Sequence, residues 1–330
     1  MHTFALHAPD GFLEPGTAIV TAVIATAVLA VALRVASGEL GDRQAPLAGV
    51  VAAFVFAAQM FNFPVASGTT GHLVGGALAA ILLGPWIGTL VVAVVVIVQA
   101  LLFADGGISA LGYNLINMAV VPAFGGWAVY RLVRRVLPAN SAGVVGATAV
   151  ASLASVVLAS MAFSLQWLFG ASAPVPFDTV FAAMVGVHVL IGVGEAVISA
   201  IVISAVLAAR PDLVVGARDL DLAALAERPR VGMRPFVIGG LIVALGFAAV
   251  VSQFAVDNPD GLERVAEDEG FIDSARDHAF GDSIFADYAT SGIDNEQASL
   301  AVAGIAGVIL TLAVMAGITS ASRQIVRRPT

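Results

Sequence analysis

His72 stands directly after a run of small residues, Ser67-Gly68-Thr69-Thr70-Gly71, at which two apolar runs meet. An imidazole is expensive inside an apolar membrane segment, so a histidine placed there usually binds an ion or relays a proton. Gly68, Gly71, Gly75 and Gly76 would let another backbone, or the chain's own N-terminus, approach it closely. Gln59 and Asn62, three apart, read as one helical face, with Thr70 a further polar group within the hinge. Two more histidines, His2 and His7, lie in the mixed stretch 1–15, where Pro9-Asp10-Gly11 reads as a turn. His188 and Glu195 are seven apart in HVLIGVGEAVIS, on one helical face. They read either as groups orienting a ligand or a neighbouring loop, or as a mutually satisfied pair joining helices. Asn114 and Asn117 follow a glycine-rich loop and would line an outward vestibule or cap a helix.

The elements that must position these groups are membrane helices. The 330 residues are 59% hydrophobic and 12% charged, with mean hydropathy +0.97, far from soluble-domain averages. Apolar runs predict helices at 16–36, 46–63, 71–84, 86–104, 114–136, 142–170, 178–208, 235–256 and 298–321. Gly84-Pro85 separates the third from the fourth, because proline cannot continue a helix's hydrogen bonding. With nine helices and an outer N-terminus, the arginines near 34–43, 131–135, 210–234 and 323–328 all fall in the cytoplasm, as the positive-inside rule asks. The same count places 1–15, the 64–71 hinge and the 105–113 loop outside, so His2, His7 and His72 share one side. No separate signal peptide is expected, since the first apolar run continues into the chain.

This predicts an all-α polytopic membrane protein: a seven-helix bundle over 1–208, a cytoplasmic linker at 209–234, a two-helix module at 235–321 and a cytoplasmic tail at 322–330. The module's outer loop, 257–296, holds twelve of the chain's 23 acidic residues and reads as a partly disordered connection or as a cation-attracting surface. Cysteine is absent, which excludes disulfides, thiolate metal sites and iron–sulfur clusters. All fifteen basic residues are arginine, so a P-loop, which needs its lysine, is excluded too. No HExxH or GxSxG motif supports an enzyme. A net charge of −8 argues against nucleic acid as a partner. A secondary transporter or channel for a divalent cation stays open as the alternative, although Glu195 is a sparse complement of intramembrane carboxylates for coupling. Histidines without thiols suit a nitrogen-rich site for Ni²⁺, Co²⁺ or Cu²⁺.

Four stretches carry a resemblance: HAPDGFLEP at 7–15, QMFNFPVASGTTGH at 59–72, QALLFADGGISALGYNLINMA at 99–119 and HVLIGVGEA at 188–196. Together they resemble the CbiM/NikM family, the substrate-binding membrane component of energy-coupling-factor transporters for cobalt and nickel. NPDGLERVAEDEGF at 258–271 is similar to the PDGLE motif of the small companion subunit CbiN/NikN, here fused at the C-terminus. The resemblance implies capture of Co²⁺ or Ni²⁺ from outside, in the cell membrane, with no permanently bound cofactor. A separate transmembrane coupling protein and paired ATPase subunits would drive release inward. It also implies a near-planar nitrogen set: the N-terminal amine, the amide and imidazole of a following histidine, and a second histidine, which is His72 here. Met1-His2 supplies the amine and first histidine as written. His7 has the family's spacing to the Pro9-Asp10-Gly11 turn, and would stand second in the chain if translation began at Leu6.

Overall fold

The structure, a computed structural model, describes residues 7–41, 43–66, 68–220, 231–256 and 258–326. Met1, His2, Leu6, Ser67, Arg228 and Arg230 lie outside the described residues. Seven long apolar helices make the frame: α1 (Pro15–Glu39), α4 (Pro85–Leu102), α5 (Leu111–Arg134), α6 (Ser141–Gly170), α7 (Phe177–Ala209), α8 (Met233–Ala249, prolonged by a 3₁₀ turn to Phe254) and α10 (Glu296–Val326). Proline opens α1 and α4, where its missing N–H costs nothing. Asn140 caps α6 by accepting from the Gly143 N–H at 2.8 Å. Residues Leu115–Val120 of α5 form a π-helical turn, a local widening that often accompanies a functional site.

Three shorter helices complete the set: α2 (Gln44–Gln59), α3 (Gly76–Leu83) and α9 (Gly261–Asp268). A two-stranded antiparallel ladder, β1 (Phe63–Pro64) and β2 (Thr70–Gly71), pairs Phe63 with Gly71 and Pro64 with Thr70. The predicted third helix, 71–84, is therefore corrected. Its first part is strand and irregular chain, and α3 has only eight residues, a rise of about 12 Å against a hydrocarbon core of about 30 Å. The cause is tertiary: an added Cβ at Gly71 would stand 2.7 Å from Ile191 of α7, and Gly75 adopts a left-handed φ of 78°. Asn62 also lies beyond the end of α2, so it does not share a helical face with Gln59.

α3 and the inner stretch of α4 are buried on all sides, and α2 is flanked by the α8–α10 hairpin. That hairpin approaches α2 through glycines: a Cβ at Gly307 would lie 1.9 Å from Phe56 Cζ, and one at Gly240 2.6 Å from Val50 Cγ1. At one end of the bundle, Phe12, Trp167 and Phe271 join a second apolar cluster, with Trp167 and Phe271 rings 4.5 Å apart. Residues 258–296 fold over this end, which corrects the reading of a partly disordered connection. The opposite end carries ion pairs from Arg210 and Arg43 to Asp212 and from Arg134 to Asp219.

Gly307→Leu is expected to destabilise the protein by about 1–3 kcal/mol through overpacking against Phe56. Gly317→Leu, where an added Cβ meets no atom within 4 Å, should change little. Thermal unfolding in detergent checks this; equal midpoints for the two variants would contradict the packing of α10 on α2.

Candidate metal site

Between β2 and α3 the chain runs from the capped end into the bundle through His72, Leu73, Val74 and Gly75. Irregular backbone at this depth needs partners for its N–H groups, since neither lipid nor a helix ladder supplies them. Glu195 of α7 supplies two: Val74 N–H donates to Oε2 at 2.6 Å and Gly75 N–H to Oε1 at 2.9 Å. The carboxylate thereby also sits at the N-terminus of α3, where negative charge is favoured. Gln59 Nε2 donates to the Val74 carbonyl at 3.2 Å. Held this way, His72 is buried, with Nδ1 3.1 Å from the Leu73 carbonyl.

The N-terminal segment reaches the same place from the other side. Asp10 accepts from the N–H groups of Ile108, Ser109 and Ala110 at 3.1, 2.7 and 3.2 Å, ahead of α5. Tyr113 donates to the Pro9 carbonyl and Asn114 to the Ala8 carbonyl, both at 2.9 Å. These bonds fix His7 with its ring centroid 5.9 Å from that of His72. His7 Nδ1 lies 3.3 Å from the Asp105 carbonyl and 3.6 Å from its Oδ1, and Nε2 is buried with no hydrogen-bond partner. Burial pushes the His7 pKa down, outweighing the opposing pull of Asp105. The imidazole is thus kept in the neutral form that ligates metals.

The two rings face a cavity of about 90 Å³ that His188, Asn114, Asn117 and Asp260 also line, room for an ion with several waters. Its roof is the PDGLE motif. Thr70 donates through its N–H to the Pro259 carbonyl and through Oγ1 to the Asn258 carbonyl, each at 2.9 Å. Gly261 lets the roof approach α7 closely, since a Cβ would lie 2.6 Å from Ile191 Cδ1 and 3.1 Å from His188 Cε1. Asp260 caps α9 by accepting from Leu262 and Glu263 N–H at 2.8 Å, and burial raises its pKa to about 7.

The structure thus brings His7, His72, Asn114 and His188 together. Gln59, Thr70 and Glu195 do not line the cavity; they hold the chain that carries His72 and the roof above it. Asn62 accepts Val256 N–H at its carbonyl, 3.0 Å away, at the base of the roof. His188 and Glu195 are not bonded to each other: His188 Nδ1 meets the Met184 carbonyl at 2.7 Å, which corrects the mutually satisfied pair. Asn114 and Asn117 lie inside α5 and cap nothing; Asn117 exchanges two amide bonds with Gln166, at 2.8 and 2.9 Å. Asp105 and Asp260 were not singled out by sequence reasoning. A lone carboxylate closing the apolar run of α4 was the available signal for Asp105. Among the described residues no three His, Asp or Glu side chains form a metal-binding group, so further donors would have to come from main chain or from outside this set.

Fold and site define a polytopic membrane protein with a small histidine-lined cavity, roofed by its own C-terminal module. Residues 7–213 match the CbiM family, described as the cobalt uptake substrate-specific transmembrane region, and residues 234–324 match the PDGLE domain. The chain belongs to the CbiM family and carries a fused PDGLE domain. It is 35% identical over 321 residues to a putative fused nickel transport protein of Archaeoglobus fulgidus, covering 96% of this chain and 99% of that one. A putative metal transport protein of Haloquadratum walsbyi is 43% identical over 209 residues, which are 63% of this chain and 93% of that one. A solved truncated transition metal transporter is 32% identical, with TM-score 0.54, covering 61% of this chain and 98% of that structure.

Glu195→Leu leaves two buried N–H groups without acceptors, at about 1–3 kcal/mol each. It should lower the unfolding midpoint and weaken metal binding together, whereas Glu195→Gln, which keeps one acceptor, should fall between. Wild-type behaviour of Glu195→Leu in both assays would contradict the role given to this carboxylate.

Proposed function

We propose that this chain captures Co²⁺ or Ni²⁺ from outside the cell and passes it through the membrane as the substrate-binding part of an ATP-driven transporter. The observation that carries this reading is the pair of buried imidazoles, His7 and His72, set edge to face with ring centroids 5.9 Å apart and lining one cavity. His72 and the histidine of the N-terminal segment serve as ligands, with main-chain nitrogens of that segment completing the set. A nitrogen-rich site of this kind suits the tetragonal preference of Ni²⁺ and accepts Co²⁺. The full-length likeness to a fused nickel transport protein favours Ni²⁺ as cargo. The bundle of residues 1–208 holds the ion, 235–321 forms the outer module, and 209–234 joins them in the cytoplasm.

Energy comes from elsewhere, because a chain without lysine cannot build a phosphate-binding loop. Separate ATPase subunits and a membrane coupling protein drive release, and the chain itself catalyses nothing. The arginine-rich end faces the cytoplasm, which puts the roofed end and both histidines outside.

His72→Ala and His7→Ala should each weaken Ni²⁺ binding by a hundredfold or more in calorimetry of the purified chain. Unchanged affinity in His72→Ala would refute the site. Competition between Ni²⁺ and Co²⁺ should favour Ni²⁺. In proteoliposomes, uptake should require ATP and the partner subunits; uptake by the chain alone would support a secondary transporter or channel instead. Because cysteine is absent, Ala275→Cys gives one labelling position, expected to react from outside; reaction only from the cytoplasmic side would reverse the orientation.

A further inference from the structure

Three non-glycine residues among those described take left-handed backbone: Ala104 (φ 54°), Asp287 (φ 53°) and Tyr288 (φ 57°). Each such conformation is strained and persists only where its surroundings over-determine it. All three bracket one hydrogen bond. Ala104 precedes Asp105, and Tyr288 reaches across from the loop of the C-terminal module to donate its hydroxyl to Asp105 Oδ2 at 2.5 Å. The contact is built from both sides. Gln99 Nε2 donates to the Tyr288 hydroxyl at 3.0 Å, Asp287 N–H to the Phe103 carbonyl at 2.9 Å, and Ser283 Oγ to the Leu102 carbonyl at 3.0 Å. The Phe285 ring stacks on Phe103 at 5.6 Å.

Asp105 is 2% exposed and meets His7 Nδ1 twice: its main-chain carbonyl lies 3.3 Å away, and Oδ1, which has no hydrogen-bond partner, 3.6 Å away. A carboxylate or main-chain carbonyl that accepts from an imidazole's outer N–H orients the ring and raises its basicity as a ligand, and removing such a partner commonly costs 10–100-fold in metal affinity. Asp105 is itself a short, rotatable side chain; Tyr288 takes up one of its oxygens and leaves the other turned to His7. Burial and the Asp105 charge keep the Tyr288 phenol protonated, hence a donor.

We propose that Tyr288, in the fused module, is a positioning residue for the metal site: through Asp105 it sets the orientation of the His7 imidazole. The module then contributes to affinity from a residue outside its PDGLE motif and without touching the ion. This rests on the reading of His7 as a ligand, and the test separates the two.

The full-length chain in detergent is titrated with Ni²⁺ alone, following heat and the ligand-field absorption. Tyr288→Phe, which removes only the hydroxyl, should keep the stoichiometry, weaken affinity about 10–100-fold and shift the absorption band. Asp105→Asn should do likewise, and the double variant should be no weaker than the worse single one, because the two act in series. Wild-type affinity and spectrum in Tyr288→Phe, beside loss of binding in His7→Ala, overturn the proposal alone. So does weakened binding with an unshifted band and a matching fall in the metal-free unfolding midpoint, which marks a structural role only. Wild-type binding in His7→Ala overturns the reading of His7 and the proposal with it.

Discussion

The carboxylate of Glu195, bonded to the N–H groups of Val74 and Gly75, is the interaction on which the remaining architecture depends. A chain that leaves helical geometry inside a membrane bundle exposes N–H groups that lipid cannot satisfy. Two hydrogen bonds accepted by one buried side chain, without which each N–H would stand unsatisfied at a cost of about 1–3 kcal/mol, let residues 72–75 run as irregular backbone and α3 begin late. His72 is therefore set in a non-helical segment between strand and half-helix, where its ring can face a cavity instead of a neighbouring helix.

Around that segment the chain converges from three directions. The N-terminus is clamped by Asp10, Tyr113 and Asn114, which bring His7 opposite His72. α7 contributes Glu195 from below and His188 at the cavity wall. The C-terminal module closes the top through Pro259, Asp260 and Gly261, and its helices lie against α2 through glycine contacts. A cavity walled by segments that are distant in sequence is assembled only when all of them are docked, so its rigidity belongs to the whole fold.

The glycines at 71, 75 and 261 share one purpose. Each allows a backbone to approach a neighbour that any Cβ would meet within about 3.1 Å. The glycine-rich hinge is thus a packing feature of the site, and its left-handed Gly75 turns the chain into α3.

Much of this was legible in the residues. Apolar runs of bilayer length determined the helical membrane class and the approximate limits of the long helices, because hydrophobic burial in lipid is local and additive. His72 stood out beside its hinge, since an imidazole among apolar residues is costly, whereas His7 was marked by its family spacing to the Pro9-Asp10-Gly11 turn. Missing lysine and cysteine excluded whole chemistries outright.

What only the tertiary structure decided is how distant segments meet. The 71–84 run is apolar enough for a helix, and nothing local reveals that Ile191 crowds Gly71 or that Glu195 satisfies the irregular backbone. Seven-residue spacing put His188 and Glu195 on one face, but their partners come from another element and from the preceding turn. The ordering of 258–296 is equally non-local: its acidic composition alone reads as a solvated connection, whereas Phe271, Phe285 and Tyr288 bury against aromatic rings far away in sequence. Composition and periodicity record what each segment does against lipid or water. Partners for buried polar atoms come from the packing of segments against one another, which those local signals do not encode.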